Sequence, residues 1–290
     1  MSKNIPTYQL ENLTNQAGNS AGIFFLNHKI EKPKVTIDIP YRRNFYAAGI
    51  CLEGQAELKV NLETYTISPD CLITKPPNTI NQWSYMSDDF KTLTVFFTKE
   101  FISTNNFIAV DNFNFFKSVA RHIFPVTNLQ SDGFKSSLQL IKEKYDCPHP
   151  YRNEILRNLI NCMLYEIAPV YDQHQVSNAV PTRGQMLVGE FKKLVNAHSS
   201  TQRSVTFYAD KLSISPKYLT EIVKEDTGKT AGESIAEIVI LEAKILLQNP
   251  ALTISQIADS LHFSDQSTFG KFFKKSTGFS PVAYKQGTES

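Results

Sequence analysis

Six side chains near the C-terminus share one chemistry. Gln266, Ser267, Thr268, Lys271, Lys274 and Lys275 put an amide, two hydroxyls and three ammonium groups within a short stretch. Presented on one helix face, such groups can donate to phosphate oxygens and read base edges in a major groove. The other face carries Phe269, Phe272 and Phe273 at i, i+3 and i+4, a spacing that requires a core. An earlier set, Lys217, Tyr218, Thr220, Glu221 and Lys224, is arranged the same way around Leu219 and Ile222. Gln266 and Lys217 are the candidates for base edges, and the lysines late in the second set are the candidates for phosphates. Taken alone, either set also suits a solvated face of a helical hairpin, so the elements around them have to decide.

Those elements repeat. In Ile254–Gly278, Ile257, Ala258 and Leu261 mark one helix, and Phe263 interrupts the polar run. Ser264-Asp265 then offers N-cap oxygens for a second helix, which Gly278 and Pro281 end. Thr206–Gly228 reads alike: Ala209-Asp210 matches Ala258-Asp259, Leu212 matches Leu261, Ser215 matches Ser264, Leu219 matches Phe269 and Thr227-Gly228 matches Thr277-Gly278, with one extra residue in the second turn. Two helix-turn-helix patterns in one chain argue against coincidence. A helix over Thr230–Gln248 joins them and would span about 28 Å. Successive major-groove faces lie about 34 Å apart, so this spacer would keep both units on one side of a duplex.

The C-terminal hundred or so residues resemble the DNA-binding domain of AraC/XylS-type transcription regulators. The resemblance is carried by Ala209, Leu212, Ser215-Pro216, Tyr218-Leu219, Lys224 and Gly228, then by Ile257-Ala258, Leu261, Phe263-Ser264-Asp265, Phe269, Phe272-Phe273-Lys274-Lys275, Gly278, Ser280-Pro281 and Tyr284. It implies a sequence-specific regulator whose partners are double-stranded DNA, a second copy of itself and RNA polymerase. One departure stands out. The family places an Arg shortly before its Glu-Ala-Lys run, whereas here Ile238-Val239-Ile240-Leu241 precedes Glu242-Ala243-Lys244. The expected consequence is looser seating of one unit.

The first third of the chain is patterned for strands. Ile23–Leu26, Val35–Ile39, Phe45–Leu52, Ala56–Val60, Thr64–Ile67, Cys71–Thr74 and Leu93–Phe97 are separated by turn signals at Glu53-Gly54, Ser68-Pro69-Asp70 and Pro76-Pro77-Asn78. Short strands at this spacing predict a small barrel or jelly roll. Arg43, Phe45-Tyr46, Gly54, Leu58, Tyr65, Ile67, Pro69, Pro76-Pro77 and Trp83 resemble the cupin-like effector domain that precedes such DNA-binding domains. A small-molecule effector would then meet Arg43, Tyr46, Tyr65 and Trp83, with the Arg43 fork suited to a carboxylate or phosphate. No histidine lies between Ile30 and Phe101 and no HxH pair occurs, so neither a metal nor another cofactor is expected. Three helices should follow: one from Asn112 to Pro125, one through Phe134, Leu138, Ile141 and Tyr145, and Arg152–Ile167, closed by Pro169. The last has a broad apolar stripe that suits a homodimer contact as well as an internal core.

The expected fold class is therefore α+β: a cupin-like barrel or jelly roll with helices over residues 1–171, a polar linker over 172–184, and an all-α domain of two helix-turn-helix units joined by a long helix over 185–290. At 290 residues, 41% hydrophobic and 20% charged, the composition suits two globular domains and excludes a disordered chain. No apolar run reaches the ~20 residues of a membrane span. The N-terminus lacks the apolar stretch of a signal peptide. Cys51, Cys71, Cys147 and Cys162 show no paired spacing, which points to free thiols in the cytoplasm. The net charge of +2 means that any pull on nucleic acid is local. Two other classes stay open: a cupin-type small-molecule-binding protein or enzyme with an accessory helical domain, and a regulator that senses no ligand. GxSxG, HExxH and phosphate-loop patterns are absent.

Overall fold

The computed structural model describes residues 7–8, 22–27, 37–103, 110–117, 121–176 and 182–287. The chain divides into two compact units, one built largely from residues before Ala179 and the other from those after Val180.

The first unit contains strands β1 (Thr7–Tyr8), β2 (Ile23–Asn27), β3 (Arg42–Arg43), β4 (Tyr46–Glu53), β5 (Ala56–Val60), β6 (Glu63–Ile67), β7 (Cys71–Lys75), β8 (Asn81–Met86), β9 (Lys91–Phe97) and β10 (Ile123–Pro125). They form a five-stranded sheet in the order β10-β7-β4-β9-β2, a three-stranded sheet β6-β5-β8, and the short parallel pair β1-β3. The pairings within the two larger sheets are antiparallel. Period-two alternation gives the larger sheet two buried faces. Tyr46, Ala48 and Ile50 of β4, Leu93, Val95 and Phe97 of β9, and Leu72 of β7 join the main core. After the short helix α1 (Lys99–Ser103), helices α2 (Asn128–Asp146) and α3 (Arg152–Val176) cover that face with Phe134, Leu138, Ile141, Leu156, Ile160, Met163, Leu164 and Ile167. Intervening residues point the other way: Ala47, Gly49 and Cys51, then Thr92, Thr94 and Phe96, then Cys71, Ile73 and Lys75. The three-stranded sheet turns buried Ala56, Leu58, Val60, Asn81 and Trp83 inward. The result is the two-sheet form of a jelly roll.

Several expected boundaries shift. The helix expected from Asn112 is instead two 3-10 turns, Val110–Asn112 and Asn114–Phe116, followed by β10 on the sheet edge. Phe113, Phe115 and Phe116 are all buried, and one α-helical face cannot bury three aromatics in four positions. Ile123 and Phe124 are both buried, as in a strand covered on both faces. Strand β8 is unforeseen, because Asn81, Gln82 and Ser84 dilute its pattern. Of the strand expected over Val35–Ile39, residues 35–36 lie outside the described residues, and Ile37–Asp38 form a turn. Pro169 does not end α3, which runs to Val176 and so takes in the first residues of the expected linker. Burial of Val170 and Tyr171, with Tyr171 packed on Phe124 at 5.5 Å between ring centroids, offsets the cost of an internal proline. The apolar stripe of α3 is mainly internal core, so charges at Leu156 or Met163 would unfold the unit rather than divide a dimer.

The second unit contains α4 (Arg183–His198), α5 (Val205–Lys211), α6 (Pro216–Thr227), α7 (Ala231–Leu247), α8 (Ile254–Ser260), α9 (Gln266–Thr277) and α10 (Pro281–Gly287). Helix α7 is apolar almost all round and touches both α6 and α9. Its Thr230–Glu233 capping box sets its start. The Lys285 ammonium donates to the carbonyls of Asn249, Pro250 and Leu252 just beyond its C-terminal end.

Candidate nucleic-acid interface

Both helix-turn-helix units are built by the same local chemistry. After α5, Ser213 takes a left-handed φ of 55°; after α8, His262 takes the same value. The next N–H returns into the first helix each time, Ile214 donating to the Ala209 carbonyl at 3.0 Å and Phe263 to the Ala258 carbonyl at 2.9 Å. Ser215 then caps α6 by accepting from the Tyr218 N–H at 3.2 Å, with Pro216 at the first helical position. Asp265 caps α9 by accepting from the Thr268 N–H at 2.7 Å. The counterpart of Ser215 is thus Asp265, and Ser264 is the extra residue of the second turn; this corrects the pairing of Ser215 with Ser264. Three hydrogen bonds, from the Thr268 N–H and from the Ser264 and Thr268 hydroxyls, bring the Asp265 carboxyl down to about 2. Both helices end on a glycine in the left-handed region, Gly228 at φ 75° and Gly278 at φ 82°.

The inner faces are apolar. Leu219, Ile222 and Val223 of α6 and Phe269 and Phe273 of α9 are buried, with Phe272 half-buried against Phe263. The outer faces carry the expected residues: Lys217, Tyr218, Glu221, Lys224, Gln266, Ser267, Thr268, Lys271, Lys274 and Lys275 are all exposed. Thr220 is half-buried and its hydroxyl donates to the Pro216 carbonyl at 2.9 Å. The Thr268 hydroxyl donates to Asp265 at 2.8 Å. These two hydroxyls are committed within their own helices and have the least to offer a ligand.

The faces differ electrically. On α6, Lys217 faces Glu221 at 4.0 Å, and Glu225 and Asp226 follow Lys224. On α9, Lys271, Lys274 and Lys275 have no acidic residue among them. The second unit therefore presents the stronger cationic surface.

Sequence reasoning missed Arg203. Its guanidinium donates to the Leu261 carbonyl at 2.5 Å and the His262 carbonyl at 2.6 Å, and lies 4.0 Å from the centroid of the Phe263 ring. It thereby holds the turn of the second unit from the segment that precedes the first. Val239, where the family's Arg was missed, is fully buried in apolar packing. An Arg in a polar stretch between helices gives no periodic signal, so nothing in the pattern marked it.

In the first unit, Arg43 is buried, its guanidinium 5.5 Å from the centroids of both Phe45 and Phe96. Trp83 is buried on the inward face of β8, with Lys75 Nζ 5.4 Å from a ring centroid. Tyr65 is half-buried, its hydroxyl accepting from the His122 N–H at 3.4 Å, and burial pushes that phenol up to about 12. Tyr46 is on the opposite face from these: its ring stacks on Phe97 at 5.6 Å and meets Phe116 at 4.8 Å within the helix-covered core. Strand alternation thus puts Tyr46 on the other side of the sheet from Arg43 and Trp83, and puts Lys75, which sequence reasoning passed over, on theirs.

Residues 208–287 match a family model described as a helix-turn-helix domain. The chain is 23% identical over 258 residues to the Msm operon regulatory protein of Streptococcus mutans serotype c, covering 85% of this chain and 86% of that one. It is 24% identical over 166 residues to the HTH-type transcriptional activator RhaR of Escherichia coli (strain K12), and spans 57% of that relative's length. Among solved structures, unsaturated-fatty-acid-bound ToxT from Vibrio cholerae aligns over 93% of this chain and 97% of that one, at 15% identity and a TM-score of 0.41. No described helix is long and apolar enough to cross a membrane.

Proposed function

We propose that this chain is a transcription regulator of the AraC type, with a helix-turn-helix DNA-binding domain behind a β-rich N-terminal domain, and that one protomer reads two successive major grooves, α6 in one and α9 in the other. The observation that carries this is the repeat itself: two units with the same turn, N-cap position and glycine stop, both packed on α7. Helix α7 has 17 residues and so measures about 25 Å. Lys217, Tyr218, Gln266 and Ser267, near the helix N-termini, are the base-reading groups. Lys224, Lys271, Lys274 and Lys275 are the phosphate-binding groups.

In this reading the N-terminal domain holds a small-molecule effector and the protein acts in the cytoplasm as a homodimer, with RNA polymerase as a further partner. With the α3 core residues internal, a dimer through that helix would use half-buried Ile155 and Leu159 and exposed Cys162. A regulator, rather than an enzyme with an accessory domain, accounts for both recognition faces.

The test is binding of the full-length protein to a selected duplex across salt concentrations. The slope of log K against log salt should fall by about 1 for each of Lys274→Ala and Lys275→Ala, with base preference unchanged. Unchanged slopes in both variants would contradict phosphate contact by α9.

A further inference from the structure

The inside of the jelly roll is polar where the small molecule would sit. Lys75 ends β7 on the face between the two sheets, opposite Ala47 of β4, and is only 4% exposed. Among the described residues it makes no ion pair and no side-chain hydrogen bond; its recorded neighbours are the Trp83 ring, the Arg43 charge and the buried His122 imidazole. Arg43 is itself 5% exposed. Of the acidic residues described, only Glu242 is buried, and it belongs to the other unit. The Lys75 ammonium has therefore been taken from water with no buried carboxylate among the described residues of its unit. A ring face repays only part of such a desolvation. Burial and the Arg43 charge hold the Lys75 ammonium well below its ordinary value, a charge that a neighbouring anion would restore.

A second orphan group lies on the same inner side. The larger sheet lines this side with the small residues Ala47, Gly49, Cys51, Thr92 and Thr94 together with Ile73 and Phe96. Asn81, fully buried, donates its amide to the Thr79 carbonyl at 2.9 Å, yet its Oδ1 has no partner. That oxygen is an acceptor suited to a hydroxyl on the same molecule.

We propose that the space between the two sheets takes a small organic anion, a carboxylate or a phosphate ester, with Lys75 as its ionic contact and the Trp83 ring as one wall. This rests on the effector reading above and names the chemical class of the effector. A carboxylate and a phosphate share the charge that Lys75 needs and differ in size, and paired probes distinguish them.

Trp83 is the one tryptophan of the chain, so its emission reports on this site alone. Full-length protein would be titrated with benzoate against benzamide and with glucose 6-phosphate against glucose. At least one anion should change Trp83 emission saturably while its neutral partner does not, and Lys75→Met should weaken that anion about tenfold or more. The same variant, without probe, should melt above wild type, because an unpaired buried cation becomes a methionine. A lower melting temperature for Lys75→Met would mean that Lys75 is structural and would overturn the proposal. So would neutral probes binding as well as anions, or no response to either anion at about 10 millimolar, the weakest useful affinity. DNA binding, measured in parallel, separates the two readings. If an anion binds at Trp83 without altering DNA affinity, the site stands and effector control fails. If DNA affinity responds only to neutral probes, effector control stands and the anion site fails.

Discussion

Arg203 shows how much can depend on one side chain outside any recognisable pattern. It makes two charge-assisted hydrogen bonds to successive carbonyls and stacks on Phe263. A lysine has the charge but not the planar fork. Arg203→Lys should therefore lose most of what Arg203→Ala loses, about 1.5–3 kcal/mol in chemical denaturation of the helical domain. Equal stability of Arg203→Lys and wild type would show that charge alone suffices. His122 makes a pH-dependent prediction. Burial, assisted by the Lys75 charge, lowers it from 6.5 to about 4. The unfolded chain thus binds a proton that the folded chain refuses between those values. The stabilisation is complete above pH 6.5 and is lost as pH falls towards 4. The urea midpoint reported by Trp83 should decline across that window in wild type, and His122→Gln should flatten the decline.

At the scale of elements, the two recognition helices were legible because their signals are local and chemical. N-cap oxygens, left-handed glycines and phenylalanines at helical spacing act within a few residues of where they are read. Gly278 illustrates the strength of such a signal. An added Cβ would meet nothing within 4 Å, so Gly278→Ala tests backbone conformation alone. It should destabilise the helical domain by about 1–2 kcal/mol, read as a lower thermal midpoint. Ser215→Ala should cost about 0.5–2 kcal/mol through loss of the α6 cap. Failures in the first unit have a non-local origin. The aromatics of residues 113–116 look helical because they lie close in sequence, and only the neighbouring sheet decides that all of them turn inward. The side of β4 on which Tyr46 lies is hidden in the sequence for a related reason. Composition marks a strand, while register decides its faces. Lys75 was invisible because a lysine beside two prolines reads as a strand end in solvent, and its burial depends on a second sheet that β8 helps to form.

At the scale of the molecule, the charge is spread almost evenly, and function depends on where it is concentrated. Between Gln185 and Gln286 there are 12 Lys and Arg against 10 Asp and Glu. The cationic excess lies on α9, whereas α6 is mixed. Helix α9 should therefore supply most of the salt-sensitive affinity and α6 mostly selectivity. The central claim is that the two units read different grooves. The direct measurement is selection of full-length wild type, Lys217→Ala and Gln266→Ala from a randomised duplex library, followed by affinity measurements on single-base variants of the winning site. The account predicts a non-palindromic half-site spanning two adjacent major grooves. Lys217→Ala should relax preference in one groove and Gln266→Ala in the other, at about 1–3 kcal/mol each. Relaxation of the same base pairs by both changes, or no relaxation anywhere by Lys217→Ala, would contradict it.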